Sequence, residues 1–364
     1  MIPFFDLSRQ IQEVRGDLEK SFSKSLETAR FIGGEPLASF EKDLCSYFDV
    51  RHAIGVSSGT DALLASFMGL GLKPGDEILV TSFTFAASAT SILRAGLNPV
   101  FVDLEKNQFY PSVENYKKAW TNKTKGILVV HLFGEALDLH EISLLCKERN
   151  AYLIEDCAQS FGSKHESGKM VGTTGDISTF SFFPAKNLGC LGDGGAVITD
   201  NDELADRIRA IKTHGCSKVK YQHDLLGGNF RLDTIQASFL SIMLKKIDHW
   251  VEKRKLNAKF YYDNLIVNDD MLLPNYAKGN SYNQFTIRTK YRDELKKHLD
   301  YNKIGNMIYY PQPLHKQRVF SRQQTLKNAE LACSEVLSIP IYPHLKRDEQ
   351  EMVVEKINQF MEKK

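Results

Sequence analysis

The chain begins with apolar residues at helical spacing. Ile11, Val14, Leu18 and Phe22 recur among many charged residues, and this periodicity predicts a helix. The segment precedes the first apolar run that is typical of a strand. We therefore predict that residues 1–30 form an N-terminal arm or packing helix.

Beyond residue 30, short apolar runs alternate with helical patterns. The runs that predict strands are residues 52–57, 77–80, 98–104, 126–131, 151–156, 177–183 and 195–199. Alternation of strand and helix indicates an α/β fold with a largely parallel sheet and helices on both faces. We predict this large domain over residues 31–250. A smaller α+β domain is predicted over residues 251–364, where the chain becomes more charged and its elements shorten.

One lysine lies in an unusual setting. Lys186 follows an apolar run that contains Phe180, Phe182 and Phe183, and glycines follow it. Burial among such residues disfavours the charged ammonium form, and a neutral amine is a nucleophile toward carbonyls. The alternative is that Lys186 extends its charge into solvent from a packed loop.

Other strand ends carry candidate binding residues. Small residues at 57–60 join a strand to a helix, where free backbone N–H groups bind phosphate, although Ser58 or Thr60 could serve only as a helix cap. Phe85 and Asp156 also follow predicted strands, at the edge where open α/β sheets bind ligands. Phe85 could stack on a planar ring. Asp156 could cap a helix or keep a pyridinium nitrogen protonated.

The composition excludes several functions. The chain of 364 residues has 47 Lys+Arg and 45 Asp+Glu, a formal net charge of +2, so no global charge favours nucleic acid as a partner. No apolar run approaches the roughly 20 residues that span a membrane, and no secretory signal is evident. The six cysteines form no C-x-x-C pair, which argues against a disulfide framework or structural zinc. We expect a cytoplasmic protein.

Short fragments along the chain form an ordered series. They are Phe31-Ile-Gly-Gly-Glu-Pro36, Phe40-Glu41, Ser58-Gly59-Thr60-Asp61-Ala62-Leu63, Pro74-Gly75-Asp76-Glu77, Thr84-Phe85, His131-Leu132-Phe133-Gly134, Glu155-Asp156-x-Ala158-Gln159, Ser181-Phe182-x-Pro184-x-Lys186-Asn187-Leu188-Gly189, Gly192-Asp193-Gly194-Gly195 and Asn229-x-Arg231-Leu232-Asp233-x-x-Gln236-Ala237. In this series, which covers nearly the whole length, the chain resembles the sugar aminotransferases of the DegT/DnrJ/EryC1/StrS group. The resemblance implies a fold-type I (aspartate aminotransferase-like) enzyme that uses pyridoxal 5'-phosphate (PLP).

The resemblance also implies roles around the cofactor ring. Lys186 would bond covalently to PLP and later move a proton. Asp156 would pair with the ring nitrogen, Gln159 would bond the ring hydroxyl, and Phe85 would stack on the ring face.

For the cofactor phosphate, the resemblance implies the backbone N–H groups of Gly59 and Thr60 together with the hydroxyl of Ser181. In this family the asparagine that matches Asn229 comes from the partner subunit. A homodimer with shared active sites is therefore expected.

The implied reaction aminates a keto sugar attached to a nucleotide, in surface-polysaccharide or deoxysugar biosynthesis, with L-glutamate as the family's usual donor. Arg231, Tyr310 and His315 would lie near the sugar. The motif Tyr310-Pro-x-Pro-x-His315 is most similar to that of members that aminate C3 of deoxysugars or hexuluronates linked to UDP or dTDP. A 4-keto sugar, a cyclitol ketone and a PLP-binding regulator without turnover remain alternatives. Members that dehydrate sugars have histidine at the lysine position, so Lys186 favours transamination.

Overall fold

The computed structural model of the chain describes residues 1–216, 221–320 and 324–364. Its larger sheet consists of strands β1 (His52–Val56), β2 (Glu77–Thr81), β3 (Asn98–Val102), β4 (Thr124–Val130), β5 (Tyr152–Asp156), β6 (Ile177–Ser181) and β7 (Gly195–Thr199). Their order across the sheet is β1-β7-β6-β5-β4-β2-β3. Strands β2 to β6 are parallel, whereas β7 is antiparallel to both of its neighbours. The predicted largely parallel sheet is confirmed.

Helices cover both faces of this sheet. They are α1 (Leu7–Thr28), α2 (Glu35–Phe48), α3 (Gly59–Gly69), α4 (Ala86–Arg94), α5 (Val113–Ala119), α6 (His140–Glu148), α7 (Asp202–Ile211), α8 (Thr234–Leu244) and α9 (Ile247–Asn264). Successive side chains of a strand point to opposite faces. Ile78 and Val80 of β2 accordingly pack in a core with α3 and α4, while Leu79 packs in another core with α5 and α6.

The last part of the chain has a small sheet of its own. Strands β8 (Met271–Leu272), β9 (Phe285–Thr289) and β10 (Val336–Ile339) pair antiparallel in the order β10-β9-β8, beside helices α10 (Arg292–Tyr301), α11 (Lys327–Glu335) and α12 (Arg347–Met361). Helix α9 runs without interruption through residue 250. The domain boundaries at residues 30 and 250 stay predictions.

Short connecting segments complete the fold. Two of them form single 3-10 turns, Leu132–Gly134 and Leu314–Lys316. Among the helices of the described residues, none combines the length and apolar character needed to cross a lipid bilayer.

Candidate active site

Several predicted site residues meet at one edge of the large sheet. Asp156 and Ser181 are the last residues of the parallel strands β5 and β6, and the segment that follows β2 leads through Phe85 into α4. The N-terminus of α3 lies at the same edge, where an added Cβ on Gly59 would be 2.6 Å from the Ser181 Cβ. Glycine is therefore required for α3 to approach β6 this closely.

The first turn of α3 presents free backbone N–H groups. The Ser58 hydroxyl accepts a hydrogen bond from the Asp61 backbone N–H at 3.0 Å and caps the helix. The N–H groups of Gly59 and Thr60 occupy the first two helical positions, where no carbonyl of the helix can accept their protons. Together with the neighbouring Ser181 side chain they form a polar cradle, and free N–H groups at a helix N-terminus suit an anion such as phosphate.

Asp156 is buried and is held by two hydrogen bonds. The Ser88 hydroxyl donates to Oδ2 at 2.8 Å and the Ala158 N–H donates to Oδ1 at 3.1 Å. Burial raises the pKa of Asp156, while these bonds and the nearby Lys186 oppose the rise. A cationic ligand group would therefore stabilise its ionised form. Sequence reasoning missed Ser88, although a serine in the first turn of the helix after Phe85 was a usable signal.

Lys186 is partly buried on the turn after β6. Burial lowers the pKa of its ammonium group to about 8, against the attraction of Asp156. About one tenth of Lys186 is then neutral at pH 7, compared with about 0.04% of an ordinary lysine of pKa about 10.4. This environment prepares the amine for attack on a carbonyl.

The lowered pKa of Lys186 predicts a distinct labelling profile. In cofactor-free protein, the rate at which trace acetic anhydride modifies Lys186 should rise with pH and level off above a midpoint near 8, because only the neutral amine reacts. Peptide mass spectrometry measures each lysine in the same sample, and exposed lysines with ordinary pKa values of about 10.4 serve as internal controls. A Lys186 profile that coincides with theirs would contradict its desolvation.

Gln159 has a fixed orientation. The backbone N–H of Phe133 donates to its Oε1 at 2.8 Å, and its Nε2 donates to the Tyr310 hydroxyl at 3.2 Å. Because the Phe133 N–H can only donate, the amide oxygen must face it. The amino group of Gln159 is thus the part available to a ligand oxygen.

Phe85 and Tyr310 form an aromatic wall of the site. Phe85 is 58% exposed, and its ring centroid lies 6.3 Å from that of Tyr310. The Tyr310 ring also contacts the buried Phe83 at 6.0 Å. Because Gln159 bonds the Tyr310 hydroxyl, the C-terminal loop reaches the same place as the predicted cofactor residues.

His315 differs from its expected place. It is fully buried, with Nδ1 2.6 Å from the Ser82 hydroxyl and Nε2 3.0 Å from Glu330 Oε1. One imidazole tautomer satisfies both groups: its Nδ1 accepts from the Ser82 hydroxyl and its Nε2–H donates to Glu330. Both ring nitrogens are therefore occupied, which disfavours the expected contact with a sugar and indicates that His315 anchors the Tyr310 loop to the end of β2.

Replacing His315 with alanine is expected to lower the free energy of unfolding by about 2 to 3 kcal/mol, since it leaves the buried Ser82 hydroxyl without its partner and opens a cavity. Thermal or urea denaturation measures the loss, with the exposed His140→Ala as the control. Unchanged stability together with a raised KM for the sugar would instead support a direct sugar contact.

Asn229 and Arg231 lie in an adjoining pocket. This pocket of about 560 Å3 is also lined by Ser57 and Ser58, just before α3, and by Ile32. The Arg231 Nε is buried without an acceptor among the described residues. The pocket therefore offers polar groups to a ligand or to another subunit.

A buried acid and a lysine of lowered pKa at one edge of a largely parallel sheet agree with the fold-type I aminotransferase that the resemblance implies. Comparison with known proteins agrees. A model described as the DegT/DnrJ/EryC1/StrS aminotransferase family matches residues 12–358, and the chain belongs to that family. It is an aminotransferase, as the sequence predicted.

Similar proteins match along almost the whole chain. Over 99% of its length, the chain is 41% identical to the "pleiotropic regulatory protein" of Geobacillus stearothermophilus, covering 98% of that protein. Over 100% of its length, it is 36% identical to dTDP-3-amino-3,4,6-trideoxy-alpha-D-glucose transaminase of Streptomyces venezuelae, covering 97% of it. Over 96%, it is 39% identical to UDP-N-acetyl-3-dehydro-alpha-D-glucosamine 3-aminotransferase of Acidithiobacillus ferrooxidans, covering 95% of it.

Solved structures share the fold. DesV from S. venezuelae, in complex with a ketimine intermediate, superposes with a TM-score of 0.95 at 36% identity, covering 99% of this chain and 98% of that chain. NtdA from Bacillus subtilis, with the bound cofactor PMP, has a TM-score of 0.93 at 30% identity and covers 99% and 85%. The predicted fold type is confirmed.

Proposed function

We propose that the protein uses PLP to transfer the amino group of L-glutamate to a keto sugar carried by UDP or dTDP. Glutamate is oxidised to 2-oxoglutarate and the ketone is reduced to an amine, so no other oxidant or reductant is required. The observation that carries the proposal is the arrangement at one edge of the large sheet, where Asp156 ends β5 and the N-terminus of α3 lies against Ser181 at the end of β6. Lys186 follows on the turn after β6, where burial lowers its pKa to about 8 against the attraction of Asp156.

The residues at this edge fit PLP. The turn at Gly59 and Thr60, with Ser181, suits the phosphate, and the missing side chain of Gly59 lets the Ser181 side chain lie against this turn. Asp156 is a buried acid whose pKa is raised by burial, so a protonated ring nitrogen would supply the positive charge that it requires. Gln159 presents its amino group toward a ring oxygen.

When bound, PLP supplies an electron sink for the charge that develops as the donor loses its α-proton. Asp156 would keep the proton on the ring nitrogen. Lys186 Nζ would hold the cofactor covalently and, once free, would serve as the base that takes up the α-proton. Phe85 offers an exposed ring face for stacking.

We propose C3 of the sugar as the site of amination. Two of the similar proteins are named for 3-amino or 3-dehydro sugars, one linked to dTDP and one to UDP. We propose that Tyr310 contacts the sugar; the hydrogen bond that its hydroxyl accepts from the Gln159 Nε2 at 3.2 Å supports this, because it brings the C-terminal loop to the proposed cofactor residues. We propose that Arg231 binds the same substrate, either in its own active site or in that of the partner subunit.

A homodimer with shared active sites is also proposed. Phe22 and Leu26 lie one turn apart on α1 and are exposed, as are Phe31 and Ile32, and Ile32 lines the same pocket as Asn229. Exposed apolar side chains next to a polar pocket are typical of a surface that another subunit covers. Sedimentation equilibrium tests the dimer. Mixing inactive Lys186 and Asn229 variants tests shared sites, since hybrid dimers should regain activity.

The visible absorption spectrum tests the proposed chemistry. Wild-type protein reconstituted with PLP should show a visible band that L-glutamate bleaches. A band that glutamate leaves unchanged would favour the regulator alternative, which the name of the G. stearothermophilus relative keeps open. The absence of a band after reconstitution would reject the proposed cofactor.

Thermal denaturation in the presence of ligands tests the acceptor class. UDP- and dTDP-linked keto sugars should raise the Tm, whereas free sugars and inosose should not. A shift caused only by the cyclitol ketone would reject a nucleotide sugar as the substrate. Product analysis by NMR then distinguishes amination at C3 from amination at C4.

A further inference from the structure

A buried segment from the last part of the chain contacts the lysine turn. Residues 280–284 (the 280–284 segment) lie directly before β9 and well after the large sheet. Four of them are almost fully buried: Asn280, Ser281, Tyr282 and Asn283. Three of these side chains are polar, so their burial requires specific hydrogen-bond partners.

The segment is fixed against the loop after β4. The Ser281 N–H donates to the Gly134 carbonyl at 3.0 Å and the Gln284 N–H donates to the Phe133 carbonyl at 3.1 Å. Gly134 has φ +93°, and an added Cβ would be 2.8 Å from the Asn283 nitrogen. The close approach of these two backbones therefore depends on glycine. Asn280 adds another bond, accepting from the Ala136 N–H at 2.9 Å.

Asn283 extends from this fixed segment to both sides of Lys186. Its Nδ2 donates to the Asn187 Oδ1 at 3.1 Å and, more weakly, to the Ala185 carbonyl at 3.4 Å. Asn187 in turn donates to the Phe161 carbonyl at 3.1 Å. The residues that flank Lys186 are thus held by side chains that are 3 to 4% exposed.

A buried arginine braces the other side of the segment. Arg254 of α9 donates through Nη1 to the carbonyls of Tyr282 and Ile341 at 3.2 and 2.9 Å, with a longer bond to the Asn283 carbonyl at 3.4 Å. The backbone that carries Asn283 is therefore fixed before its side chain reaches the lysine turn.

From these contacts we propose that Asn283 is a positioning residue for Lys186, setting the direction in which the lysine leaves its turn. The proposal rests on the proposed PLP-dependent function. The lysine nitrogen lies at the end of a flexible four-carbon chain. Its position therefore depends on a backbone that is held in place. A misplacement of about 1 Å can slow a reaction about 100-fold.

The test compares two asparagines of the same segment. In Asn283→Ala, reconstituted with PLP, glutamate should bleach the visible band about 100-fold more slowly than in the wild type. The glutamate concentration for half-maximal rate should stay within about threefold, because Asn283 acts on the lysine and not on donor binding. Asn280→Ala is the matched control: it removes a residue of equal burial that bonds Ala136 instead of the lysine turn, and it should bleach at the wild-type rate.

Circular dichroism and thermal denaturation establish that each variant is folded at the assay temperature. If Asn283→Ala does not fold, Asn283→Asp replaces it. This variant keeps the side-chain volume but directs a carboxylate oxygen toward the Asn187 Oδ1 and the Ala185 carbonyl, which are both acceptors. Its band should bleach at least as slowly as that of Asn283→Ala. Bleaching of the tested Asn283 variant at the wild-type rate overturns the proposal. Equal slowing of the Asn280 variant also overturns it, since the segment would then be only structural. A wild-type protein without a visible band would reject the proposed function itself.

Discussion

Replacing Lys186 with alanine is expected to reduce transamination by at least about 10⁴-fold, because the variant lacks both the nucleophile and the base. Cofactor binding should persist, since the cradle of Gly59, Thr60 and Ser181 does not include the lysine. Product formation from glutamate and a nucleotide-linked keto sugar measures the loss. Equilibrium dialysis measures the retained PLP.

Two further variants separate the possible reasons for the loss. Lys186→Arg keeps a positive charge beside Asp156 but cannot become a neutral amine, so it should be as inactive as the alanine variant. Lys297→Ala changes an exposed lysine on α10 and should be fully active. Wild-type-like turnover by Lys186→Ala would overturn the central assignment. Substantial activity in Lys186→Arg would show that only the charge matters.

The large sheet was predictable because its strands are buried on both faces. Such strands appear as short continuous apolar runs, and all seven predicted runs fall on the observed strands. The antiparallel direction of β7 between β1 and β6 was not predictable. The segment between β6 and β7, which contains Lys186 and several glycines, does not indicate whether the two strands run parallel or antiparallel. The apolar pattern of a strand does not indicate its direction in the sheet either.

The position of Asp156 at the edge of the sheet was predictable because it ends a predicted strand. Asp156 ends β5, and parallel neighbours bring their carboxyl ends to one edge. Ser181 lies at the same edge, but the predicted strand over residues 177–183 ran past it, and only the family resemblance indicated it. The partners of these residues were not predictable. Ser88 is 68 residues from Asp156, and Asn283 is 96 residues from Asn187, so no local pattern links them.

The burial of His315 illustrates the same limit. A proline-rich loop with two tyrosines and a histidine suggested a surface that binds sugar hydroxyls. Ser82, 233 residues earlier, and Glu330 on α11 supply buried partners for both ring nitrogens. Only the folded chain shows that Tyr310 faces the site while His315 anchors the loop beneath it.

Replacing Asp156 with asparagine is expected to slow turnover about 10³-fold, because the variant loses the charge that keeps the ring nitrogen protonated. Its fold should persist. The amide introduced by Asp156→Asn can donate to the Ser88 hydroxyl, whose own proton can turn to the Thr84 Oγ1, 3.1 Å away. The Ala158 N–H keeps an oxygen acceptor. Single-turnover bleaching of the visible band by glutamate measures the loss.

The same substitution should stabilise the cofactor-free protein. Burial raises the pKa of Asp156 above its unfolded value, so folding costs free energy wherever the group is ionised, by about 1.4 kcal/mol per pKa unit. The cost is absent below the unfolded pKa of about 3.9 and complete above the raised folded value. At pH 7 the Tm of apo Asp156→Asn should therefore exceed that of the wild type.

The neighbouring Glu155 provides the matched control, because it is equally buried but has the opposite environment. Burial alone would raise its pKa, but hydrogen bonds from His131, Gly175 and Thr174 lower it overall. Glu155→Gln should thus lose about 3 kcal/mol of stability, with a smaller effect on turnover. In the wild-type protein, the stability that ionised Glu155 contributes is lost as the pH falls through the lowered pKa of Glu155. If Asp156→Asn were instead destabilised and active, Asp156 would be the structural acid of the pair, and the ring nitrogen would need another partner.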